Sequence, residues 1–438
     1  MTDLLGNYKL VLGLEIHIHV NTKQKMFCGC DANIYDAEPN THTCPTCLGL
    51  PGALPVPNYE AVKKTQLLGL ATDCQLNTNS KFDRKHYFYP DLSKGYQISQ
   101  YKEPLCEHGK IVLSSGRIAE IERIHLEEDT AKSKHENGKT LIDFNKGGMP
   151  LMELVTTPCF SNIDDAVEFA KMVRDLARYL NISEADMEKG QMRIEPNISL
   201  RTAEMERLDE LPPYKVEIKN INSFRFMEKA VKCEIVRQRG ILETGLTPEQ
   251  QNRGYDENKN VTVAQRSKEE AHDYRYFPEP DIPPMIFSEQ YIEDIKKQLP
   301  ELPAELAVRL ATKYQLKETQ IFELIKSENK DLVQKLEELA SHNLDPVKVA
   351  NLLLNKLEYR NLSTEAFIQQ YNKDNETMDD ADMLTQAVKK ILAANTEIVD
   401  QYKNGKESVL NFLLGQVMRE TKGKANPEIT MQLIKELI

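Results

Sequence analysis

The residues best suited to chemistry in this sequence are carboxylates and imidazoles set on alternating patterns. Gly13 to Val20 reads G-L-E-I-H-I-H-V. Strict alternation predicts a half-buried strand, with Leu14, Ile16, Ile18 and Val20 on one face and Glu15, His17 and His19 on the other. Residues two apart on a strand are same-face neighbours about 6.5–7 Å apart, a separation at which Glu15 and His17 can grip one divalent cation. Alone, the octet fits a solvated polar face equally well, so carboxylates in other strand-like segments decide the matter. Ile118 to Glu128 also alternates and ends in Glu127-Glu128-Asp129. Three adjacent carboxylates repel one another unless a cation sits among them, and oxygen ligands suit Mg2+ or Mn2+. A solvated acidic turn is the plainer alternative. Glu153 stands alone inside the apolar run Leu151-Met152-Glu153-Leu154-Val155, and a buried carboxylate is costly unless paired or metal-bound.

A second chemistry belongs to Cys28, Cys30, Cys44 and Cys47, spaced C-x-C, thirteen residues, C-x-x-C. Two close pairs on one loop supply four thiolates to a tetrahedral Zn2+. No position is left open for water, so such a site holds a loop rather than reacting. Four reduced, inert thiols are the alternative, and His42 is a weaker substitute ligand. Cys74, Cys106, Cys159 and Cys233 are scattered.

Basic and aromatic residues alternate from Lys81 to Tyr101, where Lys81, Arg84, Lys85 and Lys94 lie among Tyr87, Phe88, Tyr89 and Tyr96. Stacking surfaces beside cations suit a nucleotide or RNA, although aromatic strands are also ordinary core. Arg275, among Tyr274, Tyr276 and Phe277, fits either a phosphate clamp or a stacked loop. Val216 to Ser223 alternates, with Glu217, Lys219 and Asn220 as polar contacts. Arg419 to Pro427 sets three basic residues against one acid, a pattern compatible with phosphate contacts or with plain solvation.

The elements that must position these groups divide the chain in two. Up to Pro283-Pro284, strand patterns alternate with a few helices. These are 59–73, a helix capped by Ser161 or Asn162, and 224–241. Glu107-His108-Gly109-Lys110 is expected to turn between strands, and 246–260 to be a polar loop. Beyond Pro284 only helical periodicity remains, with 359–380 a linker or weak helix. The expectation is an α+β chain of two or three domains over its 438 residues. A formal charge of -12 excludes a chain coated for nucleic-acid binding but allows a local basic site. No apolar run approaches the roughly 20 residues that span a bilayer. The opening residues lack a basic region followed by an apolar core, so a cytoplasmic protein is expected.

These stretches together resemble one family, the B subunit of the tRNA-dependent amidotransferase. The strings that carry the resemblance are G-L-E-I-H (13–17), C-P-T-C-L-G-L-P-G-A-L-P-V-P-N (44–58), K-F-D-R-K-H-Y-F-Y-P-D (81–91), Y-Q-I-S-Q (96–100), H-L-E-E-D-T-A-K (125–132), E-I-K-N-I-N-S-F (217–224), R-S-K-E-E-A-H-D-Y-R-Y-F-P-E-P-D (266–281) and G-K-A-N-P (423–427). They span nearly the whole chain. The resemblance implies an antiparallel-sheet cradle similar to glutamine synthetase over 1–290, an all-α helical domain over 291–379 and a small helical tail over 380–438. It implies ATP-dependent conversion of Glu-tRNA(Gln) or Asp-tRNA(Asn) to the amide. The side-chain carboxylate would be phosphorylated and then attacked by ammonia from a partner glutaminase (A) subunit, with a small C subunit completing a heterotrimer. Glu15, His17, Glu128 and Glu153 match the family's Mg2+ positions, with Glu127 nearby. Lys81, Arg84, Lys219 and Arg275 are implied for ATP or the activated intermediate, and Lys422 and Lys424 for tRNA. The sequence departs from the family at Lys146, at Glu195-Pro196 and over 250–253. A non-catalytic zinc-bearing tRNA adaptor and a stand-alone carboxylate-amine ligase are the competing readings.

Overall fold

The computed structural model describes residues 2–219, 221–267, 274–375, 381–403, 405–406, 408–421 and 425–438. Contacts divide the chain into two compact units, Met1–Leu306 with Lys326–Glu328, and Ala307–Ile325 with Asn329–Ile438.

The first unit is built on a nine-stranded sheet. Its order is Val261–Ser267, Gln251–Asp256, Val216–Lys219, Met192–Arg201, Lys9–His19, Pro150–Thr156, Ile118–Glu128, Cys106–Val112 and Gln75–Leu76. Every neighbouring pair is antiparallel except Val216–Lys219 with Gln251–Asp256. The alternating strand Lys9–His19 lies at the centre. Its apolar set, Leu10, Leu12, Leu14, Ile16 and Ile18, is at most 2% exposed. It packs in one core with the apolar faces of the helices Tyr59–Ala71, Ile163–Tyr179 and Phe224–Glu243. Each helix begins where the sequence provides a cap. Asn58, Asn162 and Ser223 accept hydrogen bonds from otherwise orphaned N–H groups of the first turn. Asn162, not Ser161, caps the second.

Two expectations change. Glu107-His108-Gly109-Lys110 lies inside the strand Cys106–Val112. His108 has a left-handed φ of 56° and is left unpaired, but the register is the same on both sides of it, so the strand runs on through the segment. The 246–260 loop contains the strand Gln251–Asp256. Its inward residues are Gln251 and Arg253, and Arg253 bonds Thr262 (3.0 Å) and lies 3.4 Å from the fully buried Glu234. An ion-paired inward face hides the alternation that marks a strand.

Above the other face of the sheet, the strands Asp83–His86 and Tyr96–Ser99 pair with each other and with Phe277–Pro278. The second unit is built of helices. Leu384, Val388, Leu413, Val417 and Ile434 form a core cluster within it. The 359–380 region contributes the helix Thr364–Asn375, with Phe367 buried against Tyr359. Among the described residues, no helix is long and apolar enough to cross a membrane.

Ile16 is fully buried in the central strand, so Ile16→Ala removes packing that cannot re-form. The expected cost is about 2–5 kcal/mol, read as an earlier urea unfolding transition by circular dichroism. An unchanged midpoint would show that this face of the strand is not packed.

Candidate active site and metal knuckle

The polar face of the central strand is flanked by acidic residues on both sides. On one side, His17 is paired in register with Glu153, and Glu153 with His125. His17 Nε2 lies 3.4 Å from Glu153 and 3.8 Å from Glu127, and His125 Nε2 lies 3.4 Å from the same Glu153 oxygen. One donor atom each from His17, Glu127 and Glu153 fall within 4.8 Å of one another. On the other side, Glu15 is paired with Glu195. Glu15, Glu195 and Glu217 form a second group at the same spacing. Lys219 bridges Glu195 (2.9 Å) and Glu217, and the Asn197 amide donates to Glu15 (2.9 Å). His17, Glu127 and Glu153 of the first group and Glu15 and Glu195 of the second line one cleft of about 220 Å³, with Lys85, Tyr87 and Arg193 among its other walls.

So many acids in one desolvated place disturb one another's ionisation. Burial disfavours the His17 imidazolium, yet Glu153, Glu195 and Glu127 outweigh it and raise the His17 pKa to about 9. Burial also opposes ionisation of Glu153, but the two histidines hold it well below the usual carboxylate range. Burial and the Glu153 charge push Glu127 up. Glu195 is drawn down to about 2 despite burial, because His17 and Lys219 face it. Glu217, chiefly through burial, rises to about 7. Lys85 is half-buried above the triad, and the surrounding tyrosines and carboxylates raise its pKa against the desolvation there. The groups are oxygen-rich, with one imidazole, and this donor set fits Mg2+ or Mn2+.

The run Glu127-Glu128-Asp129 is separated by strand alternation. Glu127 joins the triad. Glu128 faces away from it, with its carboxylate on Lys94 (2.7 Å) and the Ile98 N–H (3.0 Å). Asp129 lies among Lys146, His19 and Arg193. Despite burial, these cations hold Asp129 well below its usual range. The other expected residues are spread more widely. Lys219 lies in the cleft, as just described. Lys81 pairs with Glu103 at 3.2 Å. Arg84 forks onto the buried Glu279 (2.7 and 2.8 Å) and stacks on Tyr96 at 4.4 Å. Arg275 is exposed, with φ 42°, just before the strand Phe277–Pro278. Residues 268–273, within one of the shared strings, and Lys422 and Lys424 lie outside the described residues. Sequence reasoning placed Lys85 only in a basic and aromatic cluster suited to a nucleotide or RNA, and did not assign Glu195 or Glu217 to the ion site. Glu195 could have been found as the register partner of Glu15 once the strand Met192–Arg201 was placed.

Cys28, Cys30, Cys44 and Cys47 converge, with all four Sγ atoms within 4.8 Å of one another. The Cys44 N–H donates to Cys47 Sγ at 3.1 Å. The Cys28 thiol hydrogen-bonds Cys47, lowering the Cys47 pKa to about 4 while Cys28 itself is pushed far up. An array of thiols already sharing protons this way fits a tetrahedral Zn2+.

Comparison with known proteins agrees with this geometry. The sequence profile of the GatB/GatE catalytic domain matches residues 10–293, and that of the GatB domain matches residues 290–438. The B subunit of the aspartyl/glutamyl-tRNA(Asn/Gln) amidotransferase of Thermotoga petrophila is 39% identical, over 98% of this chain and 99% of its own. The proteins of the same name from Thermotoga maritima and Thermodesulfovibrio yellowstonii show the same identity and coverage.

Without an ion, His17 keeps its proton up to about pH 9, and an imidazole must give up that proton to ligate a metal. Loading Mn2+ near neutral pH therefore releases about one proton. Calorimetric binding heats in phosphate and in Tris should differ by the difference in their ionisation enthalpies. Identical heats would mean that the ion bypasses His17.

Proposed function

The chain belongs to the family that joins a GatB/GatE catalytic domain to a GatB domain, and from that premise we propose that it amidates aminoacyl-tRNA with the help of ATP. The substrates are Glu-tRNA(Gln), Asp-tRNA(Asn) or both. The observation that carries this reading is the pair of acidic groups, His17–Glu127–Glu153 and Glu15–Glu195–Glu217, of which all members but Glu217 line one cleft.

A carboxylate and ammonia do not condense directly, because oxide is too poor a leaving group. In the first step a side-chain carboxylate oxygen of the aminoacyl group attacks the γ-phosphorus of ATP, and ADP departs. The nucleophile is already an anion, so no general base is needed. In the second step ammonia attacks the acyl carbon, phosphate leaves and a proton is lost. His17, Glu127 and Glu153 would hold one Mg2+, and Glu15, Glu195 and Glu217 would hold another. What Mg2+ supplies when bound is neutralisation of charge between attacking anion and phosphates. Lys85 and Lys219 reach the same cleft as cations. Lys85 faces the triad, where the activated intermediate would lie, and Lys219 bridges Glu195 and Glu217. Arg84, committed to Glu279, supports the rim by orienting the strand that carries Lys85.

The four cysteines would hold a structural Zn2+. Ammonia would come from a glutaminase A subunit, with a small C subunit completing the heterotrimer. The region 291–379 would form a helical domain, and 380–438 a tail contacting tRNA through Lys422 and Lys424. The cradle would share its architecture with glutamine synthetase, and the complex would work in the cytoplasm.

The test is an assay with ATP, Mg2+, ammonium and each mischarged tRNA, scoring the amino acid released after deacylation. Glu153→Gln and Glu15→Ala should each lower amide formation and tRNA-stimulated ATP hydrolysis by about 100-fold or more, with tRNA binding retained. Wild-type tRNA binding without any ATP turnover would instead identify a non-catalytic adaptor.

A further inference from the structure

Lys25 is 1% exposed, and among the described residues none of its partners is a carboxylate. Its ammonium donates to the Gly147 carbonyl (2.7 Å) and the Phe144 carbonyl (3.1 Å), and its third contact is Cys47 Sγ at 3.9 Å. Carbonyl dipoles satisfy hydrogen bonds but do not neutralise a charge. A buried cation with no counter-ion is strongly unfavourable. Among the described residues, the cysteine cluster is the one group it touches that can become anionic, and a divalent ion held by four thiolates keeps two excess negative charges. The same lysine therefore lies beside a Cys47 already drawn toward its thiolate, and beside two excess negative charges when the knuckle is loaded.

We propose that Lys25 is a positioning residue, the counter-ion of a zinc tetrathiolate that also ties the knuckle to the catalytic sheet. The tie runs through the glycine turn. The Met26 N–H donates to the Gly148 carbonyl (2.8 Å), the Gly148 N–H to the Asp129 carbonyl (2.8 Å), and the Asp129 N–H to the Met149 carbonyl (2.9 Å). Gly148 has a φ of 82°, and a Cβ there would lie 3.5 Å from Cys47 Cβ and 3.6 Å from Lys25 Cδ. This turn starts the strand Pro150–Thr156, which carries Glu153, and it holds Asp129 two residues beyond Glu127. Metal in the knuckle thus fixes one end of both strands that bring Glu127 and Glu153 to His17.

The inference rests on the zinc reading given under the proposed function, and the experiment separates the two. The full chain is prepared as wild type, Lys25→Met and Lys25→Arg. Each is measured for zinc content, for zinc release to a chromophoric chelator, and, after cobalt substitution, for its thiolate-to-cobalt charge-transfer band. Lys25→Met is expected to weaken zinc retention about 10–100-fold and to shift the band to lower energy, because the sulfur lone pairs lose a neighbouring cation. Lys25→Arg, which keeps the charge, should restore most of both. Wild-type retention and band position in Lys25→Met would overturn the role of Lys25 while leaving zinc in place. A wild-type chain that takes up neither zinc nor cobalt would overturn the zinc reading itself. If Lys25→Met does not fold, acetic anhydride labelling of the wild type decides. Lys25 should be protected in the zinc-loaded chain and modified after chelation, and equal modification in both overturns the inference.

Discussion

The dominant constraint in this molecule is unbalanced negative charge on one face of a sheet. Glu15, Glu127, Glu153 and Glu195 line a single cleft, with Glu217 beside Glu195, answered mainly by His17, His125, Lys85 and Lys219. Like charges this close in a poorly solvated site repel by several kcal/mol. The arrangement persists because the opposite face of the same strands is packed against three helices. An apolar face that fixes the register of the central strand is what compels its polar face to hold acids together. Stability on one side of the sheet thereby sustains electrostatic tension on the other, as is common where chemistry is done.

Much of this was legible from residue order. The central strand declared itself because Leu14, Ile16 and Ile18 alternate with Glu15, His17 and His19. The knuckle declared itself through cysteine spacing. Glu153 stood out as a lone acid in an apolar run. The rest depends on contacts that no local pattern encodes. Gln251–Asp256 escaped notice because the residues it turns inward are Gln251 and Arg253, whose burial is possible only with Glu234 and Thr262 alongside. Arg84 reads as a cation for ATP or the activated intermediate until Glu279, 195 positions away, is seen to occupy it. Lys85 gains its place above the triad only when the hairpin that carries it folds over the sheet.

The acidic run at 127–129 teaches a related lesson. Grouped by sequence, its members look like one ligand set. Strand geometry turns Glu127 and Asp129 into the cleft, the first at the triad and the second among Lys146, His19 and Arg193, and turns Glu128 away toward Lys94. Adjacency along the chain is a poor guide to shared environment in a strand, where the second residue away, not the next, is the companion.

That same geometry makes the central strand a ruler. Glu15 and His17 belong to different acidic groups yet sit one pleat apart, so the spacing between the groups is set by the peptide repeat, about 6.5–7 Å, and not by any side chain. Exchange of residues along this strand can alter how strongly each group attracts its occupant but cannot move one relative to the other. Inserting or deleting a single residue between them would instead turn one group into the hydrophobic interior. Variation in this part of the chain is therefore confined to replacement, while changes of length must be absorbed elsewhere.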